Sequence, residues 1–347
     1  MRISTAYFEI TNQCNLNCTS CYNRSGLNHE RVELTLEHMI TIMDKLASCF
    51  ETRSFAFAGG EPFLHTEIQS LLSYISKAVQ THPDYNFSFV TNGTVHNSSF
   101  IQLMQDYPQQ IHLQISLDGS CEAVNSLTRG PNAFGRAIHL LSQVTTSENR
   151  PVVKMVISQN NLTDVEAFYR MVVSAGGRPD FAFINRSGNA EDNWEYKKVS
   201  PQEKVRVIQL IEQLNTKFQL EKPAALPRST NICPLTDTAQ PASILIKSDG
   251  TLQPCQLLYD STYSFGNILH DSPEQLEQGM TRLSQQIKQR LHTDYGCYRC
   301  LLRENCGKGC PALAVYNHQN LLAEDDDCLT RRLEFLTLEL RRHVSNV

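Results

Sequence analysis

Six strand-like segments alternate with six helix-like segments along the first 218 residues, and this order limits the fold more than any other feature of the sequence. The predicted strands are residues 6–11, 54–58, 87–91, 111–117, 152–158 and 181–185. The predicted helices are residues 36–50, 67–79, 98–106, 134–145, 165–175 and 201–218. Such alternation predicts an α/β fold with a parallel sheet and right-handed crossovers, either open or curved into a barrel.

Residues of types that often bind ligands or take part in catalysis directly follow the first four predicted strands. Residues 12–22, after the first strand, contain three cysteines, and a Gly-Gly-Glu sequence at residues 59–61 follows the second strand. Asn-Gly at residues 92–93 follows the third strand, and Asp-Gly at residues 118–119 follows the fourth. Because the carboxyl ends of parallel strands lie on one side of a sheet, we expect these residues to meet on a single rim.

The pattern changes after the last of these helices, which begins with Ser200 and Glu203 at the spacing of a capping box. The elements predicted beyond it are a linker at residues 221–237, a β-hairpin at residues 243–253 and helices at residues 274–291 and 331–343. We therefore expect a partial (β/α)6 barrel of the TIM type at residues 1–220. A small cysteine-rich domain with a β-hairpin and helices is expected at residues 221–347.

The composition excludes several classes of protein. Hydrophobic residues make up 41% of the chain, which is enough for a sizeable core. The 31 basic and 36 acidic residues give a net charge of −5, which does not favour binding to nucleic acid. No apolar stretch is long enough to span a membrane, and the first residues lack the apolar core of a secretory signal. We expect a cytoplasmic protein with neither a nucleic-acid nor a membrane partner.

Cysteine is abundant, with twelve in the chain. In a chain without an export signal, clustered cysteines indicate metal binding more often than disulfides. The first cluster, Cys14-x3-Cys18-x2-Cys21, offers three thiolates. A structural zinc site takes four ligands, whereas three thiolates can bind three irons of a cubane cluster and leave the fourth iron open. A zinc- or cluster-bearing scaffold without catalysis is the alternative at this point.

This cysteine triplet, followed by the aromatic Tyr22 and preceded by a first strand, resembles the signature of the radical S-adenosylmethionine (radical SAM) superfamily. The Gly-Gly-Glu-Pro sequence at residues 59–62 supports the resemblance. It implies that Cys14, Cys18 and Cys21 hold a 4Fe–4S cluster whose open iron binds SAM. The enzyme would then cleave SAM reductively to a 5′-deoxyadenosyl radical, which takes a hydrogen atom from the substrate.

The resemblance also implies contacts with SAM. Gly59 and Gly60 would let the backbone approach the methionyl end of SAM, and Glu61 would place a carboxylate near its ammonium group. Tyr22 would stack near the adenine, and Ser116 would contact the ribose. The other residues expected to bind the cofactor are Asn92, Asp118 and Arg129. For Arg129, a surface ion pair is the alternative.

The cysteines from residue 233 onward resemble the SPASM extension of radical SAM enzymes, which carries two auxiliary 4Fe–4S clusters. The resemblance assigns the distal cluster to Cys297, Cys300, Cys306 and Cys328. It assigns the cluster nearer the active site to Cys233, Cys255 and Cys310, and it leaves open the fourth ligand of that cluster. The implied cofactors are therefore SAM and three 4Fe–4S clusters.

Two cysteines and one glutamine lie outside these ligand sets. Cys49 falls in an apolar helical run, so we expect a core thiol. Cys121 follows the fourth strand on the rim and is a candidate for a chemical role such as hydrogen-atom donation. Gln256 occupies the position at which sulfatase-maturing relatives carry a catalytic aspartate. Its position therefore makes Gln256 the second candidate catalytic residue. Because glutamine cannot act as a base, however, the replacement argues against a sulfatase-maturing activity. The acidic residues 325–327 are expected to be solvated.

Two classes of substrate remain open. The SPASM extension most often accompanies peptide substrates, so the first hypothesis is crosslinking, thioether formation or epimerisation of a ribosomally made precursor peptide. The chain begins almost at the first strand, so leader binding is expected to need a separate protein or the barrel itself. The alternative is a small-molecule dehydrogenase or decarboxylase in cofactor or natural-product biosynthesis. Either enzyme needs an external electron donor of the flavodoxin or ferredoxin type.

Overall fold

Six parallel strands form the main part of the sheet in the computed structural model, which describes residues 2–26, 30–227, 233, 235, 242–292 and 295–344. In chain order they are β1 (Ile3–Thr11), β2 (Ser54–Gly59), β3 (Asn86–Thr91), β4 (Ile111–Ser116), β5 (Val152–Ile157) and β6 (Arg178–Phe183). Strands that are consecutive in the chain are neighbours in the sheet, and every pair is parallel. The expected α/β fold is confirmed.

The largest difference from the predicted strands is in β6, which begins at Arg178 and includes Pro179. Proline cannot donate a hydrogen bond to a neighbouring strand, so the sequence pattern placed the strand after it. β6 is the edge of the sheet, where a proline is tolerated.

Eight helices accompany these strands among the residues described up to position 227. They are α1 (Leu36–Cys49), α2 (Ile68–Thr81), α3 (Ser98–Asp106), α4 (Glu122–Arg129), α5 (Ala133–Val144), α6 (Val165–Ser174), α7 (Trp194–Lys197) and α8 (Pro201–Phe218). The sequence did not predict α4 or the single turn of α7. The residues that α4 buries are Asn125 and Thr128, while Leu127 is exposed. It therefore lacks the apolar period on which the other predictions depended.

Phenylalanines at alternate positions of neighbouring strands form the centre of the core. Phe8, Phe57 and Phe89 are fully buried, and their ring centroids lie 5.4 Å and 5.1 Å apart across β1, β2 and β3. Successive side chains of a strand point to opposite faces, so Tyr7 and Glu9 of β1 point to the interior of the barrel. The aromatic packing sets the register of the strands and thereby the positions of the loops at their carboxyl ends.

The sheet continues beyond the first 220 residues. β7 (Ala242–Ile246) pairs in parallel with β1, and β8 (Thr251–Gln253) and β9 (Gly266–Asn267) extend the sheet in antiparallel order. The expected hairpin is present, and Gly250 in its turn has a φ of 82°. The sheet therefore crosses the boundary that we placed after residue 220.

Five helices belong to the described part of the C-terminal region. They are α9 (Pro273–Gln289), α10 (Tyr295–Tyr298), α11 (Arg303–Cys306), α12 (Pro311–His318) and α13 (Cys328–Val344). Lys204 of α8 forms an ion pair of 2.5 Å with Asp327, directly before α13. Most of the predicted linker beyond residue 227 lies outside the described residues. Within the described ranges, no helix is both long and apolar enough to cross a membrane.

Candidate active site

The loop after β2 lies directly against the loop after β1. Gly60 N donates a hydrogen bond to Thr11 O at 2.8 Å, and Glu61 N donates to Gln13 O at 2.7 Å. A Cβ atom on Gly60 would lie 2.0 Å from Gln13 O, and one on Gly59 would lie 2.3 Å from Thr11 O. The contact between these two backbones therefore requires glycine here, and the expected approach to SAM stays a prediction.

Glu61 is fully buried, and both of its carboxylate oxygens are hydrogen-bonded. Oε1 accepts from Thr91 Oγ1 at 2.7 Å and from Phe63 N at 3.2 Å, while Oε2 accepts from Asn92 N at 2.8 Å. Burial raises the pKa of Glu61 to about 7, although these donors act in the opposite direction. The carboxylate therefore holds the loops after β2 and β3 together, and its expected contact with the ammonium group of SAM stays a prediction.

Cys14, Cys18 and Cys21 lie on the loop after β1, and each is half-buried. Burial raises the pKa of Cys14 to about 12, and it also raises the pKa of Cys18. Asn92 Nδ2 lies 3.7 Å from Cys14 Sγ, and the Cys21 thiol donates to Asn23 Oδ1 at 3.1 Å. Three thiols on one short loop at the open end of the barrel fit the ligand set of a cluster, whose binding would displace their protons.

Asp118 and Arg129 form a buried ion pair beside this loop. Asp118 Oδ2 lies 2.9 Å from Arg129 Nε, and the side chains are 0% and 11% exposed. Asp118 Oδ1 also accepts a hydrogen bond of 2.9 Å from Val156 N. Burial disfavours the charged form of Arg129, but the charges of Asp118 and Cys18 outweigh it and raise the pKa of Arg129. The alternative of a surface ion pair is therefore wrong.

The residues expected to contact adenine and ribose lie on the same rim. The ring of Tyr22 is edge-on to the ring of Tyr259, with 6.4 Å between the centroids. Ser116 ends β4, is half-buried and pairs with Lys154 in the register of β4 and β5. The roles of Tyr22, Ser116 and Asn92 in binding SAM stay predictions.

The remaining candidates differ in exposure. Cys49 is exposed at the end of α1, so the expectation of a core thiol is wrong; the next residue, Phe50, takes the buried position instead. Cys121 is exposed directly before α4, and Gln256 is half-buried beside Cys255. Catalytic roles for Cys121 and Gln256 stay predictions.

Among the described residues, the seven C-terminal cysteines line two separate cavities. The larger cavity, of about 390 Å³, is lined by Cys233, Cys255 and Cys310 together with mostly apolar side chains. The smaller cavity, of about 40 Å³, is lined by Cys297, Cys300, Cys306 and Cys328. These are the two ligand sets expected from the resemblance. Within the described ranges, no three cysteines, histidines or carboxylates converge closely enough to hold one metal ion. In a cubane cluster, by contrast, each thiolate binds a different iron.

Buried charged residues, which the sequence analysis missed, hold the segment around Cys310. Asp325 is buried and forms a two-contact ion pair with Arg331, at 2.6 Å and 2.9 Å. It also accepts a hydrogen bond of 2.7 Å from Cys310 N, so the expectation of a solvated acidic run is wrong at this position. Arg290 donates to three backbone carbonyls, including that of Gly309 at 2.9 Å. Buried arginines and aspartates are rare, so charge alone gives no sequence signal for these positions.

A sequence model of the Radical SAM superfamily matches residues 8–171. Residues 8–171 form a radical SAM domain. This radical SAM domain contains the cysteine triplet, the glycines after β2 and the Asp118–Arg129 pair. A radical SAM domain uses SAM and a 4Fe–4S cluster as cofactors, and its presence indicates that the chain is an enzyme.

The similarity to known proteins extends over most of the chain. "Mycofactocin maturase MftC" of Mycolicibacterium smegmatis is 23% identical over 333 residues, which cover 93% of this chain and 81% of the relative. The "antilisterial bacteriocin subtilosin biosynthesis protein AlbA" of Bacillus subtilis is 23% identical over 286 residues, covering 78% and 58%. The solved structure of "native anSMEcpe with bound AdoMet and Cp18Cys peptide" has a TM-score of 0.75 and 17% identity, and it covers 100% of both chains. The C-terminal extension therefore shares that fold along with the radical SAM domain.

Proposed function

We propose that the chain is a radical SAM enzyme that modifies a ribosomally made peptide by crosslinking, thioether formation or epimerisation. The placement of the cysteines carries the proposal, because a triplet on the rim of a radical SAM domain is followed by two cavities lined by three and four cysteines. Two proteins that are similar over most of this chain are named for the maturation of mycofactocin and the biosynthesis of subtilosin. Those names support a peptide substrate.

We infer that Cys14, Cys18 and Cys21 hold the 4Fe–4S cluster that binds SAM. When both groups are bound, they supply a 5′-deoxyadenosyl radical that removes a hydrogen atom from the substrate. The protein contributes position and shielding. The buried pair with Asp118 fixes the Arg129 guanidinium near Cys18, and its charge lowers the pKa of that thiol, whereas the charge of Asp118 raises it.

The other contacts with SAM are part of the same proposal. We assign Tyr22 to the adenine and Ser116 to the ribose, and we assign Asn92 to the rim beside Cys14. Gly59 and Gly60 serve the site by letting two loops cross closely, and Glu61 serves it by holding the loop after β3. These residues shape the pocket without taking part in the radical chemistry.

We also propose two auxiliary 4Fe–4S clusters. The distal cluster takes Cys297, Cys300, Cys306 and Cys328. The cluster nearer the active site takes Cys233, Cys255 and Cys310, and the apolar lining of their cavity would shield it from water. In functional terms, residues 1–220 provide the SAM site and residues 221–347 provide the auxiliary clusters.

The partners follow from this chemistry. We propose a precursor peptide as the substrate and a flavodoxin or ferredoxin as the electron donor. A cytoplasmic location suits the cysteines, because that compartment keeps thiols reduced.

Anaerobic reconstitution tests the cofactors. Three cubane clusters correspond to about twelve irons per chain, and replacing Cys14, Cys18 and Cys21 together with alanine should remove about four of them. That variant should release no 5′-deoxyadenosine from SAM, while Cys49→Ala, which removes an exposed thiol, should match the wild type. Deoxyadenosine from the triple variant would contradict the assignment.

The substrate is tested by incubation with each short peptide encoded near the gene of this chain, followed by mass spectrometry. We expect a mass change that depends on SAM and on the Cys14 triplet. A wild-type enzyme that turns over SAM but leaves every neighbouring peptide unchanged would refute the peptide proposal and favour a small-molecule substrate.

A further inference from the structure

Glu9 is a buried carboxylate to which the proposed function gives no role. It lies on β1, its side chain points to the interior of the barrel, and it is 3% exposed. Burial raises the pKa of Glu9, because a carboxylate loses its hydration there. A buried carboxylate is costly unless other groups compensate it, so its partners show what it does.

The main partner of Glu9 is Tyr259. The Tyr259 hydroxyl lies 3.0 Å from Oε1 and 2.9 Å from Oε2 of Glu9 and donates its hydrogen to the carboxylate. Lys247 Nζ lies 4.2 Å from the centroid of the Tyr259 ring, and its charge lowers the pKa of Glu9, whereas the charge of Asp249 raises it. Every one of these groups belongs to the segment that follows β7. The pair therefore joins β1 to the C-terminal region.

On one side, Tyr259 is tied to the larger cysteine cavity. Leu258 N donates a hydrogen bond of 3.3 Å to Cys255 Sγ, and Tyr259 N donates to Leu257 O at 3.0 Å. The backbone from Cys255 to Tyr259 thus forms a short, internally hydrogen-bonded loop. The bond between Tyr259 and Glu9 therefore anchors a loop that begins at Cys255.

On the other side, the pair contacts the loop of the cysteine triplet. Tyr22, which directly follows Cys21, packs edge-on against the Tyr259 ring. The side chain of Asn23 accepts from the Cys21 thiol and also lowers the pKa of Glu9. Glu9 and Tyr259 therefore lie between the loop that holds Cys21 and the loop that holds Cys255.

We propose that Glu9 and Tyr259 are a positioning pair, which fixes the Cys255 loop relative to the cysteine triplet so that both sites act on one substrate. The proposal rests on the proposed function, because it gives the two cysteine sites a shared substrate. A pair that only held the fold together would affect every activity equally. A positioning pair affects the product more than the cleavage of SAM, because the residues assigned to SAM lie on the loops after β1–β4 and the ring contact of Tyr259 with Tyr22 does not need the hydroxyl.

The first test is the ratio of modified peptide to 5′-deoxyadenosine, measured with the precursor peptide of the assay above. Tyr259→Phe removes the hydroxyl alone and keeps the ring beside Tyr22 and Lys247. We expect the ratio to fall at least tenfold in Tyr259→Phe and in Glu9→Ala, and less in Glu9→Gln, which keeps an oxygen acceptor. Tyr263→Phe, in the same segment but outside the pair, is the matched control and should keep the ratio of the wild type. A parallel loss of deoxyadenosine and product, or an unchanged ratio, would overturn the proposal.

The second test needs no substrate. Hydrogen exchange of the reconstituted full chain should be at least tenfold faster at the amides of residues 257–259 in Tyr259→Phe than in Tyr263→Phe. Equal exchange in the two variants would overturn the positioning role. Failure of the proposed function itself has a different signature, since the wild type would then release no deoxyadenosine, and the exchange measurement would still decide the role of the pair.

Discussion

The backbone around Gly60 leaves no room for any side chain. A Cβ atom there would meet Gln13 O at 2.0 Å and Cys14 N at 3.0 Å, and both are backbone atoms of the cysteine loop. We therefore expect Gly60→Ala to lower the free energy of unfolding by about 3 kcal/mol and to reduce the iron bound per chain. Urea denaturation and iron analysis measure the two effects.

Gly135→Ala is the matched control for this substitution. Gly135 lies on α5 with open space around its Cα atom, so alanine should raise the free energy of unfolding by up to about 1 kcal/mol. If Gly60→Ala were as stable as the wild type and bound the same iron, the close crossing of the two loops would not be required.

The ion pair between Asp118 and Arg129 allows a second prediction for single residues. Arg129→Ala would leave the fully buried Asp118 carboxylate with one backbone donor, and we expect a loss of about 3–5 kcal/mol in the free energy of unfolding. Replacing both residues with alanine should cost less than the sum of the single changes, because no unpaired charge stays buried. Strictly additive effects in a double-mutant cycle would contradict the pairing.

The matched control is Arg2→Ala, which breaks the exposed pair of Arg2 and Glu51. It should lower the free energy of unfolding by at most about 1 kcal/mol.

Among the elements, α8 has the capping box that its sequence predicts. Ser200 Oγ accepts a hydrogen bond from Glu203 N, and Glu203 Oε2 accepts from Ser200 N at 2.9 Å. Ser200→Ala should therefore lower the free energy of unfolding by about 1 kcal/mol at pH 7. Ser73→Ala, at an exposed position within α2, is the control and should change it by less than about 0.5 kcal/mol.

The cost of Ser200→Ala should also depend on pH. Ser200 lowers the pKa of Glu203 below its ordinary value, so their interaction stabilises the fold above that value and is lost as the pH falls. The difference in thermal stability between the wild type and Ser200→Ala should thus be smaller at pH 3 than at pH 7. An equal difference at both values would mean that the charge of Glu203 does not contribute.

The sequence predicted those elements whose buried side is apolar, because that pattern lies within a single segment of the chain. The alternation of β1–β6 with amphipathic helices could be recognised from the apolar period alone, whereas the cysteine ligand sets were expected only from the resemblance to SPASM proteins. The buried side of α4 is polar, so its helix could not be recognised. Glu9 likewise looked like a polar position in a strand, because its partner Tyr259 is distant in the chain. Pairing of that kind depends on where β7 docks, and local pattern carries no information on it.

At the scale of the whole molecule, β1 is the strand on which the parts of the chain converge. It pairs with β2 on one side and β7 on the other, and its next residues form the cysteine loop. Contacts beside β1 reinforce this arrangement. Lys45 Nζ donates to Ile268 O at 2.9 Å and to Asp271 O at 2.6 Å, and Glu9 binds Tyr259. We therefore expect the division near residue 220 to separate functions rather than independently packed units.

A fragment of residues 1–220 tests this conclusion. Without β7, the long strand β1 would present an unpaired edge, and Glu9 would lose its hydroxyl donor inside the barrel. Lys204 would also lose its partner Asp327. We expect the fragment to aggregate, or to show no cooperative thermal transition, under conditions in which the full chain is monodisperse and unfolds cooperatively. A monodisperse fragment that unfolds cooperatively and binds about four irons would show that the radical SAM domain folds alone, and that the shared sheet contributes little to its stability.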